Sequence, residues 1–164
     1  MLGVAFLQTF SLSLGVGAST LAVLNYIVAS ADGVVDDAEQ RLMGIVYKVL
    51  RVAMVTIFVT ALIQTTHALI TVGPSFAGPL LGFLYMLILI LFVNAFFMTK
   101  HVMPRAIGPS LQVTSWYALA ILNFLVYVGL NYFSFTQYAG GYLLLLVIVM
   151  IAVNGSLALY RVRV

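Results

Sequence analysis

Apolar residues run along this chain in five long blocks separated by short polar stretches. A helix needs about 20 residues to cross roughly 30 Å of hydrocarbon, and its backbone polar groups must be satisfied within the segment. Five segments reach that length, at approximately 5–30, 43–70, 78–99, 110–132 and 139–159. Pro79 and Pro109 fall where a helix tolerates proline, in the first turn, so Gly73-Pro74-Ser75 and Arg105-Ala106-Ile107-Gly108 read as connections. The pattern predicts an all-α integral membrane protein, a single transmembrane domain over 1–164 folded as a five-helix bundle with an acidic loop at 31–42.

Two faces stand out. In the first span Gln8, Ser11, Gly15, Ser19, Ala22, Asn25 and Ala29 recur at three- and four-residue steps, a strip of small and polar side chains. Small residues let helix backbones approach closely in lipid, and Ser and Asn supply hydrogen bonds, so Ser11, Gly15 and Ser19 read as a packing seam. Gly78 and Gly82 add a GxxxG at the start of the third span, suited to contact within or between subunits. In the second span Arg51 and Gln64 bracket only twelve residues, about 18 Å of helix, which forces polar side chains toward lipid at one end or both. Snorkelling of Lys48 and Arg51 to lipid phosphates accounts for this in the ordinary way. The sharper reading joins Asn25, Asn94 and Asn154, expected at similar depth, with Tyr26, Tyr47, Lys48 and Arg51 into a polar pocket for an anionic group: a lipid head, a carboxylate or phosphate, or a hydrated anion.

Composition agrees with the pattern, since 64% of residues are apolar and only 7% are charged. Charge then adds orientation. Arg41, Lys48, Arg51, Lys100, Arg105, Arg161 and Arg163 fall in three segments expected on one side, while the loops near 66–77 and 133–138 carry only His67. The positive-inside rule therefore places the N-terminus outside and the C-terminus in the cytoplasm, with Trp116 and Tyr127, Tyr132, Tyr138, Tyr142 and Tyr160 expected as interfacial aromatics. A bacterial or archaeal cytoplasmic membrane is the expected location. The first residues, MLGVAFLQTF, lack a basic leader, so the first span reads as retained. A net charge of +3 records orientation and gives no reason to expect a nucleic-acid partner.

All four acids lie in one stretch, ADGVVDDAE, at Asp32, Asp36, Asp37 and Glu39. Its spacing matches the second half of an EF-hand loop, but the first and third ligand positions fall on Val28 and Ser30, so the loop lacks the best ligands of such a site. A turn reading explains more: Gly33 ends one helix, Asp36 caps the next, and Glu39 completes a capping box. These acids then form a hinge, or a gate over Lys48 and Arg51.

Catalytic constellations are missing. There is no HExxH, GxSxG, P-loop or GxGxxG, and no cysteine for a thiolate site or nucleophile. Met98, His101 and Met103 bring soft ligands together without closing a metal site. No motif names a cofactor, and a non-enzymatic role is favoured. The expected function is an oligomeric channel or transporter for an ion or small anionic solute. The alternative is a non-catalytic membrane subunit or scaffold of a larger complex, binding lipid head groups and a cytoplasmic partner. The bilayer and either a second copy or a complex subunit are the expected partners.

Overall fold

The computed structural model describes residues 1–31, 37–73, 78–100, 102–103, 107–130 and 132–161. Five α-helices account for nearly all of them: α1 (Leu2–Ala31), α2 (Asp37–Thr71), α3 (Pro79–Thr99), α4 (Ile107–Tyr127) and α5 (Phe135–Arg161). Each is long and apolar enough to cross a bilayer, and five candidate spans of this kind indicate a multi-pass integral membrane protein.

Local signals set the helix ends. Gly73 closes α2 at φ +87°, its N–H donating to the Leu69 carbonyl at 3.1 Å, a left-handed stop that suits glycine. Gly78 leads extended into α3, with Pro79 at the first helical position, where its missing N–H costs no hydrogen bond. Gly129, at φ +76°, ends α4 in a Schellman motif: Leu130 N–H donates to the Leu125 carbonyl at 2.8 Å and Gly129 N–H to that of Val126 at 3.1 Å. This glycine stops α4 at Tyr127, five residues before the end expected from hydropathy alone. Ser134 and Gln137 form a capping box at the head of α5, where Gln137 Oε1 accepts from Ser134 N–H at 2.8 Å and Ser134 Oγ from Gln137 N–H at 3.4 Å. The helix consequently begins at Phe135, four residues earlier than the apolar run suggests. Asp32, Gly33 and Asp36, read from sequence as a turn and cap, lie outside the described residues; Asp37 is the first residue of α2.

α4 organises the bundle. Its membrane-spanning stretch is the least hydropathic of the five and the most buried, and it packs against α1, α3 and α5, while α2 lies mainly along α1. Its Ser110, Gln112, Thr114, Ser115 and Trp116 are all buried. Thr114 Oγ1 and Ser115 Oγ donate to carbonyls one turn back, at 2.7 and 2.8 Å, so these hydroxyls enter the interior with their donors satisfied. Ser115 also meets Tyr142 Oη of α5 at 3.0 Å. Trp116 was expected at an interface, but it is fully buried and is the tenth of the 21 residues of α4. It lies against Gly15, where a built Cβ would overlap the indole ring.

The α1 strip faces this interior. Ser11 is 1% exposed and donates to the Ala53 carbonyl of α2 at 2.9 Å, and Ser19, fully buried, returns its hydroxyl to the Val16 carbonyl at 3.0 Å. Gly78 and Gly82 differ. A Cβ at either would meet nothing within 4 Å among the described residues, so the GxxxG is not used to pack the described helices together.

Candidate functional site

Because successive helices alternate in direction, one end of the bundle gathers the end of α1, the start of α2, the end of α3 and the start of α4. There the helices part around a cavity of about 560 Å³, a size suited to a small-molecule ligand. α2 contributes Tyr47, Leu50, Arg51 and Met54; α3 contributes Ala95, Met98 and Thr99; Gly108, Pro109 and Gln112 of α4 face them, with Tyr26 of α1 and Met103 completing the wall. The cavity keeps α2 apart from α4. Across it Gln112 Nε2 reaches Met54 Sδ in a long contact of 3.9 Å to a weak acceptor.

Arg51 is exposed and lines the edge of this space, one of its guanidinium nitrogens donating to Thr99 Oγ1 at 3.3 Å. It is the charged residue of the lining. Behind the wall, Asn94 is 1% exposed. Its Nδ2 donates to the Gly108 carbonyl at 2.9 Å and to Gln112 Oε1 at 3.0 Å, so this amide ties α3 to the first turns of α4 and fixes which way Gln112 points. Asn94 Oδ1 has no partner among the described residues.

The residues expected to form a polar pocket thus divide. Tyr26, Tyr47 and Arg51 line the cavity, and Asn94 stands directly behind it. Lys48 is exposed and outside the lining. Asn154 is exposed too, its Nδ2 donating to the Met150 carbonyl of its own helix at 2.8 Å. Asn25 is half-buried with its Nδ2 unpartnered among the described residues, and it is not in the lining. Of the acidic group, Asp37 is exposed and Glu39 half-buried at the head of α2, with Asp32 and Asp36 outside the described residues. Met98 and Met103 share the cavity, whereas His101 is not described; no group of three potential metal ligands of the His, Asp or Glu type occurs among the described residues.

Sequence reasoning missed Gln112 and Thr99. Gln112 sits in the run Ser110-Leu111-Gln112-Val113-Thr114-Ser115, which places four polar residues inside a span, and that density was the available signal. Thr99 gave none, since a threonine at a helix end is unremarkable.

A second cavity, of about 450 Å³, opens at the other end between α4 and α5. Its wall is apolar apart from Gln137 and the hydroxyls of Tyr138 and Tyr142, and it includes Phe83, against which both tyrosine rings pack at 5.5 and 6.3 Å. Between the two cavities α4 is solid: Thr114, Ser115, Trp116 and Leu119 are 0–1% exposed, with Leu87 and Leu91 of α3 and Ile57 of α2 equally enclosed. No protein-family model, curated protein or solved structure matches the chain.

Proposed function

We propose that the protein is a small membrane channel or transporter that takes an anionic solute into the Arg51 cavity. The observation that carries this reading is the placement of Arg51 in the wall of a space that the other described residues line with apolar and neutral polar side chains. A guanidinium beside a largely apolar cavity attracts an ion of opposite sign and presents its donors in a fork that fits carboxylate or phosphate oxygens. By the distribution of cations the cavity opens toward the cytoplasm. The buried polar edge of α4, from Gln112 through Ser115 to Tyr142, supplies hydrogen-bonding groups between the two cavities. Assembly with a second copy through Gly78 and Gly82 belongs to the same reading.

The packing around Trp116 favours a second reading, a non-catalytic subunit of a larger membrane complex, because a closed bundle serves as a scaffold without further change. Flux separates the two. In liposomes of purified protein, a panel of chloride, inorganic phosphate, benzenesulfonate and hexyl phosphate is expected to show at least one anion moving faster than in protein-free vesicles. Arg51→Gln should cut that flux at least tenfold. Flux indifferent to Arg51, or none for any anion, would remove the transport reading.

A further inference from the structure

We infer that the Arg51 cavity takes an amphipathic anion, a phosphate or carboxylate carried on an apolar body, in preference to a bare inorganic ion. The inference rests on reading the cavity as a ligand site and adds the class of ligand. Capacity is the first argument. The space of about 560 Å³ is of the size that takes a small organic ligand, larger than one small inorganic ion requires. The wall is the second. Arg51 and Thr99 are bonded to each other, while Leu50, Met54, Ala95 and Pro109 offer no hydrogen bonds from their side chains beyond a weak thioether acceptor. A hydrated inorganic ion would leave that surface facing water, whereas an apolar body would cover it. Methionines strengthen the case, since Met54, Met98 and Met103 present flexible, polarisable chains that mould to an apolar ligand.

A second polar anchor lies on α4. Asn94 Nδ2 occupies Gln112 Oε1, which turns the amide so that, among the described residues, Gln112 Nε2 is left with the thioether of Met54. Gln112 is 5% exposed, so this N–H is a buried donor lacking a strong acceptor, and leaving such a group underused is costly. An acceptor on the ligand satisfies it. The ligand is therefore held by charge at Arg51, by a hydrogen bond at Gln112 and by apolar contact between them. A lipid head group with its proximal chain and a soluble amphiphile share this chemistry.

The test is equilibrium binding of labelled hexyl phosphate, inorganic phosphate and hexanol to the protein in phosphatidylcholine nanodiscs, with binding to empty discs subtracted. Hexyl phosphate is expected to bind at least tenfold more tightly than either of the others. Arg51→Gln, at an exposed position, should weaken it at least tenfold and leave hexanol unchanged, while Arg51→Lys retains most of it. Ala95→Phe, which fills the chamber, should weaken hexyl phosphate and spare inorganic phosphate; a thermal melt checks that the variant is folded. Equal affinity for inorganic and hexyl phosphate, or indifference to Arg51→Gln, would overturn the inference. Discs in which phosphatidylglycerol replaces part of the phosphatidylcholine identify the source: competition assigns the site to a lipid, and undiminished binding to a soluble amphiphile. Binding without flux would remove transport and leave the ligand class standing. Flux of inorganic anions without preference for the amphiphile would do the reverse.

Discussion

Gly15 and Trp116 meet where α1 packs against α4. The indole occupies the space in which any other residue at position 15 would place its Cβ, so the two residues are matched in volume. Interiors packed to crystal density resist added atoms, and overpacking costs about 1–3 kcal/mol. Gly15→Ala should therefore lower the unfolding free energy in detergent by an amount in that range. In a Trp116→Leu background the same substitution should cost much less, because the ring that collides with the new methyl is gone. Equal losses in both backgrounds would mean that the contact does not couple the helices. Half of this pair was legible in the sequence, since Gly15 sits in the small-residue strip of α1. Trp116 was not, because an aromatic residue near an assumed span end looks like an interfacial anchor, and only the true extent of α4 puts it at mid-helix. The cavity divides likewise. Arg51, Tyr26 and Tyr47 follow from helix spacing, but Gln112 depends on an amide orientation set by Asn94, a contact between helices that no periodicity reports.

At the scale of elements, hydropathy located all five helices and misplaced their ends where capping chemistry overrides it. Hydropathy continues through Gly129 because its neighbours are apolar, while backbone conformation stops there. It also starts α5 late, because Ser134-Phe135-Thr136-Gln137 is polar enough to resemble a loop, although S-x-x-Q before an apolar run is the signature of a helix start. The GxxxG of α3 shows the limit of motifs. A Cβ at Gly78 or Gly82 meets none of the described residues, so their close-approach surface is available to another chain or to lipid. Gly82→Leu should leave the stability of the monomer within about 0.5 kcal/mol, the usual range for a surface substitution. Crosslinking in mild detergent should then show a shift from oligomer toward monomer. An unchanged distribution would place any association of copies on another face.

For the whole molecule, the argument turns on which end carries charge. α2 has 35 residues, about 52 Å of helix, well beyond the hydrocarbon thickness, so it projects from the bilayer or tilts strongly. Its first half bears Asp37, Glu39, Arg41, Lys48 and Arg51, at the end of the bundle where α3 finishes with Lys100 beyond its last turn. At the opposite end the described helices offer His67, the Tyr85 hydroxyl bonded to Thr65 at 2.9 Å, and the aromatic cluster around Phe83. By the positive-inside rule the first end is expected to face the cytoplasm. Single cysteines test this cleanly, because the sequence has none of its own. In intact cells an impermeant maleimide should label Leu2→Cys, His67→Cys and Tyr132→Cys, which are exposed positions at the uncharged end. Lys100→Cys should react only after the membrane is opened. The converse pattern would invert the molecule and turn the Arg51 cavity outward, so its ligand would arrive from outside the cell. Labelling of His67→Cys and Lys100→Cys from the same side would break the five-span arrangement itself, since the two positions are separated by α3 alone and an odd number of crossings must divide them.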